Sequence, residues 1–146
     1  MNIKIISVGN LKEKYWKDAT AEYLKRLKSY CSVDVIEIKE SSLSEEGEKI
    51  LSRVNDSDYL IALDIRGEKL SSEALSKKIF DLGLNGVSNI AFVIGGSIGL
   101  SEEVLKRAKY RLSFSDMTFP HQMMRVILLE QIYRSFKIQR NEPYHK

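Results

Sequence analysis

Two stretches of this 146-residue chain leave little choice of architecture: residues 59–65 (Tyr-Leu-Ile-Ala-Leu-Asp-Ile) and residues 90–94 (Ile-Ala-Phe-Val-Ile) are almost continuously apolar. A strand with one solvated face alternates apolar and polar residues, whereas one covered on both faces does not. Each run therefore reads as a strand sandwiched between helices. The sequence between them supplies the helices. From Glu13 to Tyr30, Trp16, Tyr23, Leu24, Leu27 and Tyr30 recur at helical spacing, with Lys17, Asp18, Glu22, Lys25 and Lys28 on the opposite face. Ser71 and Ser72 suit the cap of a helix reaching about Leu84, with Glu73 in its first turn. Ser101-Glu102-Glu103 opens a short helix to about Lys109, and Pro120 fits the first turn of a last one ending near Gln139. Residues 3–8, 33–38 and 110–114 complete the strands, while the Ser/Glu-rich residues 40–48 read as a loop or a helix start, with Ile50, Leu51 and Val54 finishing a short helix. This regular alternation predicts one α/β domain over residues 1–146, with a mostly parallel sheet flanked by helices on both faces.

Composition narrows the function. A net charge of +3 is too small for a protein that coats nucleic acid, so any such contact must be local. The single cysteine, Cys31, excludes an internal disulfide and a cysteine metal cluster; it reads as a half-buried free thiol near a helix end. With only two histidines, far apart, no metal site is expected. No apolar run approaches the roughly 20 residues of a membrane span, and the N-terminus lacks a signal-peptide pattern. No membrane contact and a cytoplasmic location are the expectation.

Candidate chemistry gathers in the last third. The second apolar run breaks at Gly95-Gly96-Ser97-Ile98-Gly99, where missing side chains let backbone amides approach a ligand. The turn lacks the Gly-Lys-Ser/Thr of a P-loop. Its spacing matches a dinucleotide fingerprint only loosely, although Asp116 follows about 20 residues on. A tight turn with no ligand remains an equal reading. The segment Phe114-Ser115-Asp116-Met117-Thr118-Phe119 sets two aromatic rings and a methionine among hydroxyls. It offers walls and amides to a flat ligand, or is simply pinned to the core by Phe114 and Phe119.

The last helix is apolar nearly all round, from Met123 to Phe136, and predicts burial on several sides, with a homodimer partner favoured over a monomeric core. Arg125 interrupts it and must be paired; Glu130, Asp116 or a ligand carboxylate are the candidates. His121 reads as a capping residue ahead of a substrate contact. The tail, Tyr144-His145-Lys146, combines a ring, an imidazole and a cation suited to stacking on a base and holding phosphate.

These segments together resemble the SPOUT-class methyltransferases, and within them the small RlmH-type family that methylates N3 of a ribosomal RNA pseudouridine. The likeness runs through Ile5-Ile6-Ser7-Val8-Gly9, Ala62-Leu63-Asp64, Phe92-Val93-Ile94-Gly95-Gly96, Leu112-Ser113-Phe114-Ser115, Thr118-Phe119-Pro120-His121, Glu130-Gln131-Ile132-Tyr133-Arg134 and Tyr144-His145-Lys146. The resemblance implies a C-terminal trefoil knot, S-adenosylmethionine as cofactor, a homodimer, and 23S rRNA in the assembled 70S ribosome as substrate. Carried over by position, it implies cofactor contacts at Leu63, Gly95, Phe114, Ser115, Asp116, Met117, Thr118 and Phe119, and RNA contacts at Tyr144, His145 and Lys146. N3 of pseudouridine must lose a proton at or before its attack on a methyl group. His145 is the candidate for handling that proton, and Arg125 for stabilising the developing charge. Two alternatives stand beside this reading. One is a ribosome-associated RNA-binding factor without catalysis; the other is a nicotinamide oxidoreductase using Asp116 to hold a ribose.

Overall fold

A computed structural model describes residues 1–146. The chain alternates strand and helix throughout: β1 (Asn2–Val8), α1 (Lys14–Leu27), β2 (Ser32–Ile38), α2 (Leu43–Ser52), β3 (Tyr59–Lys69), α3 (Ser72–Leu84), β4 (Asn89–Ile94), α4 (Glu102–Arg107), β5 (Tyr110–Ser113) and α5 (His121–Gln139). All strand pairs are parallel, in the order β2-β1-β4-β3-β5. Helices α1, α3 and α5 pack together on one face, and α2 meets α4 on the other.

The continuous apolar runs have a simple origin. Ile90, Phe92 and Ile94 of β4 enter a core with Ile3, Ile5, Ile61 and residues of α1, α3 and α5. Ala91 and Val93, pointing the other way, join Ile6, Val8, Leu60 and Ala62 in a second core beneath α2 and α4. A central strand serving two cores has no solvated side and so no polar positions. Edge strand β2 shows the opposite limit: of its seven residues only Ile38 is buried.

One element decides between two open readings, and another departs from the sequence expectation. The Ser/Glu-rich segment forms one helix, α2, whose N-cap Ser42 accepts a hydrogen bond from the Glu45 amide at 3.2 Å. Its buried face carries Glu46, Gly47 and Ile50, too few apolar residues to give a clear helical period. Strand β3 also continues past Ile65 to Lys69, because after a break in register it pairs with β5 a second time: Leu112 faces both Leu63 and Glu68. The four residues between bulge out of the ladder. Gly67 makes the return possible, since a Cβ there would sit 2.6 Å from the Arg111 carbonyl.

The last helix is covered by its own chain on three sides. It lies over β4 between α1 and α3, burying Leu128, Leu129, Ile132, Tyr133 and Phe136. Met123, Val126 and Ile127 stay half-buried on the remaining face. No helix is long and apolar enough to cross a membrane.

Candidate cofactor cavity and C-terminal tail

Adjacent strands that send their helices to opposite faces leave a crevice at their carboxyl ends. Here β3 leads to α3 on one face and β4 leads to α4 on the other. Their pairing stops at Ala62 with Val93, and the chains then part. The opening holds a cavity of about 340 Å³, within the range of small-molecule sites.

Three loops build it. The bulge after β3 contributes Leu63, Asp64 and Ile65. The glycine turn after β4 forms a floor in which the Gly99 amide donates to the Gly96 carbonyl at 3.1 Å. A Cβ on Gly95 would lie 2.7 Å from the Gly99 carbonyl oxygen, so that position must be glycine for the turn to close. The loop after β5 supplies Phe114, Ser115, Met117, Thr118 and Phe119. The serine hydroxyls serve the loop itself: Ser113 Oγ donates to the Ser115 carbonyl, and Ser115 Oγ accepts from the Met117 amide at 3.0 Å. That leaves the apolar side chains as walls, with Met117 largely exposed at the rim.

The charge balance of the lining is selective. No lysine or arginine lines the cavity, and its one acid is Asp64, whose Oδ1 accepts from the Arg66 amide at 3.1 Å. A pyrophosphate would find no cation there, whereas a flat, apolar ligand bearing positive charge finds walls and one carboxylate. No group of three or more histidine, cysteine, aspartate or glutamate side chains is arranged to hold a metal ion.

Seven of the eight positions named for cofactor binding line this one cavity: Leu63, Gly95, Phe114, Ser115, Met117, Thr118 and Phe119. Asp116 does not; it faces solvent and pairs with Lys69. An Asp116 turned outward also leaves the nicotinamide alternative without its ribose ligand. Reading the sequence missed Ile65, which only the bulge brings into place. It also gave His121 to capping, whereas His121 opens α5 and lines the cavity, its Nε2 4.0 Å from Glu40 Oε1.

Arg125 lies elsewhere. Its guanidinium is sealed in the protein, donating to Glu37 Oε2 at 2.7 Å, Ser7 Oγ at 2.9 Å and the Gly9 carbonyl at 3.0 Å. None of its three expected partners is the one it has. Sequence separation hid Glu37, which reaches Arg125 only because β1 and β2 are neighbours under the start of α5.

The tail is folded back on its own chain. The Tyr144 ring packs edge-on against Tyr133 at 4.9 Å, beneath the Arg134 guanidinium. His145 sits between Arg134 and Glu73, bonded to both. The basic end of α5 is likewise engaged: Lys137 pairs with Glu142, and Arg140 lies over the Tyr30 ring at 4.6 Å. The Lys137 bonds to Tyr30 and Glu142 hold its ammonium pKa above the ordinary lysine value.

Comparison with known proteins adds an independent line. A family model described as "Predicted SPOUT methyltransferase" matches residues 1–145. A protein of Clostridium novyi is 57% identical over the whole of both chains, and one of Clostridium acetobutylicum is 55% identical over the same extent. Each bears the name ribosomal RNA large subunit methyltransferase H. These alignments run over 159 positions against 146 residues, so the relatives carry residues that this chain lacks. Among solved structures, a probable methylase family protein from Haemophilus influenzae matches 99% of this chain and 70% of its own, with a TM-score of 0.58 at 14% identity. The A. aeolicus TrmH/SpoU tRNA modifying enzyme matches 99% and 81%, with a TM-score of 0.52 at 12% identity. At such identities the structural likeness speaks for the fold alone.

Proposed function

We propose a function from a premise that the comparisons show: the chain belongs to the SPOUT methyltransferase family. The protein is an S-adenosylmethionine-dependent methyltransferase acting on N3 of a pseudouridine in 23S rRNA of the assembled ribosome. The observation that carries this reading is the cavity itself: apolar walls, a glycine floor, no cation and a single carboxylate. These residues fit the proposed cofactor. Leu63, Phe114 and Phe119 would hold its flat base, the turn that Gly95 closes onto Gly99 would lie beneath it, and Asp64 would balance its positive charge. The name shared by the full-length relatives supports ribosomal RNA as the substrate.

The bound cofactor supplies an already activated methyl group on its sulfonium. The chain's own task is then alignment and exclusion of water. Met117 and Ile65, both exposed at the rim, are placed to cover the mouth when RNA docks. Tyr144 and Lys146 meet the RNA, and Lys146 offers a cation to the oxyanion that develops as N3 loses its proton. Arg125 is 1% exposed and acts through the fold, not by touching substrate.

The same reading includes a cytoplasmic location, a knotted C-terminal half and a homodimer. To pass from β5 at the sheet edge to α5 between α1 and α3, the chain must cross the connection from β3 to α3, which supports the knot. The half-buried Met123, Val126 and Ile127 offer the dimer face. The test is transfer of tritium from labelled S-adenosylmethionine to 70S ribosomes with or without their large-subunit pseudouridines. Transfer confined to the pseudouridine-bearing ribosomes is expected; cofactor binding without transfer to either would redirect the search to other RNAs.

A further inference from the structure

Both ring nitrogens of His145 are occupied. Nδ1 lies 2.9 Å from Arg134 Nη1, and Nε2 lies 2.6 Å from Glu73 Oε1. A guanidinium has five donors and no acceptor, so Nδ1 must offer its lone pair. The ring proton then resides on Nε2 and is donated to the Glu73 carboxylate. Each partner is fixed in turn. Arg134 Nε donates to Glu130 Oε1 at 2.6 Å, one turn earlier on α5. Glu73 stands in the first turn of α3, and its hydrogen bond from His145 is the leading cause that holds its carboxyl below the usual range. The arrangement binds α3, α5 and the tail into one unit, with Tyr144 seated between Arg134 and Tyr133.

A histidine that takes a proton from substrate needs a lone pair facing that substrate. The only lone pair on this ring faces Arg134. We propose that His145 is a positioning residue: Glu73 and Arg134 clamp it as the neutral Nε2–H tautomer, and it thereby sets the pose of Tyr144 and Lys146 instead of accepting the N3 proton. The inference rests on the methyltransferase reading for what the tail is positioned toward, and it reassigns the role expected of His145.

A glutamine at position 145 separates the two roles. Its amide offers one acceptor for Arg134 and one donor for Glu73, yet it cannot titrate near neutral pH. The clamp predicts that His145→Gln keeps kcat within about threefold of wild type, the size of one imperfect hydrogen bond. His145→Ala and Glu73→Ala should both lower kcat more than this while leaving the KM for S-adenosylmethionine unchanged. A general base would make His145→Gln as inactive as His145→Ala, with losses of about 10²–10⁴-fold, and that result overturns the proposal. Nitrogen-15 NMR of the free protein reads the ring directly. With two histidines in the chain, the signal lost in His145→Gln identifies the residue. An Nε2–H ring is expected, and an Nδ1–H ring overturns the clamp. If wild-type protein transfers no methyl group to ribosomes, the methyltransferase reading fails and the role toward RNA fails with it. An Nε2–H ring that relaxes to a mixture of tautomers in Glu73→Ala would still establish the clamp in that case.

Discussion

Arg125 and Glu37 meet at 2.7 Å from opposite environments: the guanidinium is 1% exposed, the carboxylate side chain 41%. The pair joins α5 to the carboxyl end of β2, and two further bonds reach Ser7 and Gly9 on and after β1. One buried side chain thus fixes the start of the last helix against the sheet, beside the cavity that His121 lines.

Arg125→Ala removes three hydrogen bonds and leaves Ser7 with a buried hydroxyl, but frees Glu37 to water. A loss on the order of 2–4 kcal/mol is expected, below the cost of stranding a fully buried charge. Arg125→Lys should recover little, because a single ammonium cannot span three acceptors. Urea unfolding measures both. Cofactor affinity of the folded fraction should stay near wild type, since Arg125 does not line the cavity.

Gly95→Ala tests the cavity floor. The added methyl would stand 2.7 Å from the Gly99 carbonyl, so the turn must open or shift into the cavity. Overpacking of this kind typically costs about 1–3 kcal/mol, and a comparable loss in S-adenosylmethionine binding is about tenfold or more. Calorimetric titration that finds wild-type affinity would show that the turn is not part of the site.

Which parts of this were legible beforehand follows from the range of the interactions involved. The two-core strands announce themselves, because burial on both faces erases the polar positions of Leu60–Ala62 and Ile90–Ile94. The caps at Ser71 and Ser101 are local too, each accepting a hydrogen bond from the amide three residues on. The bulge after Leu63 was not legible: it depends on β5 pairing twice, a relation between residues some 50 positions apart. The partners of Arg125 and His145 were hidden for the same reason. Glu73 reads locally as an N-terminal helix acid, and nothing near it in sequence points to a histidine 72 residues away. Asp116 shows the converse error, in which a run of neighbouring site residues draws in one that faces solvent.

Cys31 offers a check on burial that needs no activity. Burial pushes its thiol pKa up to about 11, against an ordinary value near 8.5. The folded state therefore favours the thiol form. Its contribution to stability is complete below the ordinary pKa and is lost as pH rises toward 11. Alkylation by iodoacetamide at pH 8 should be much slower in native protein than in urea. Equal rates would mean that the end of α1 opens readily.

The half-buried apolar stripe of α5 makes Val126→Glu informative. Placed in a self-complementary interface, the change sets two carboxylates in apolar surroundings and should shift sedimentation from dimer to monomer. On a solvated face it would leave the sedimentation coefficient of the wild type unchanged.

Removing Tyr144 to Lys146 takes away a ring, an imidazole and a cation without touching the cavity. Glu73 would lose His145, and Arg134 would keep only Glu130. The half-buried Tyr144 and His145 pack on the edge of a core whose buried residues all lie outside the tail, so folding should survive. Methyl transfer to ribosomes should be abolished while affinity for S-adenosylmethionine stays near wild type, because the tail contributes nothing to the walls or floor of its site. The two assays divide the labour of the chain: transfer without the tail would remove RNA contact from these residues, and a matching fall in cofactor affinity would mean that the tail supports the cavity after all.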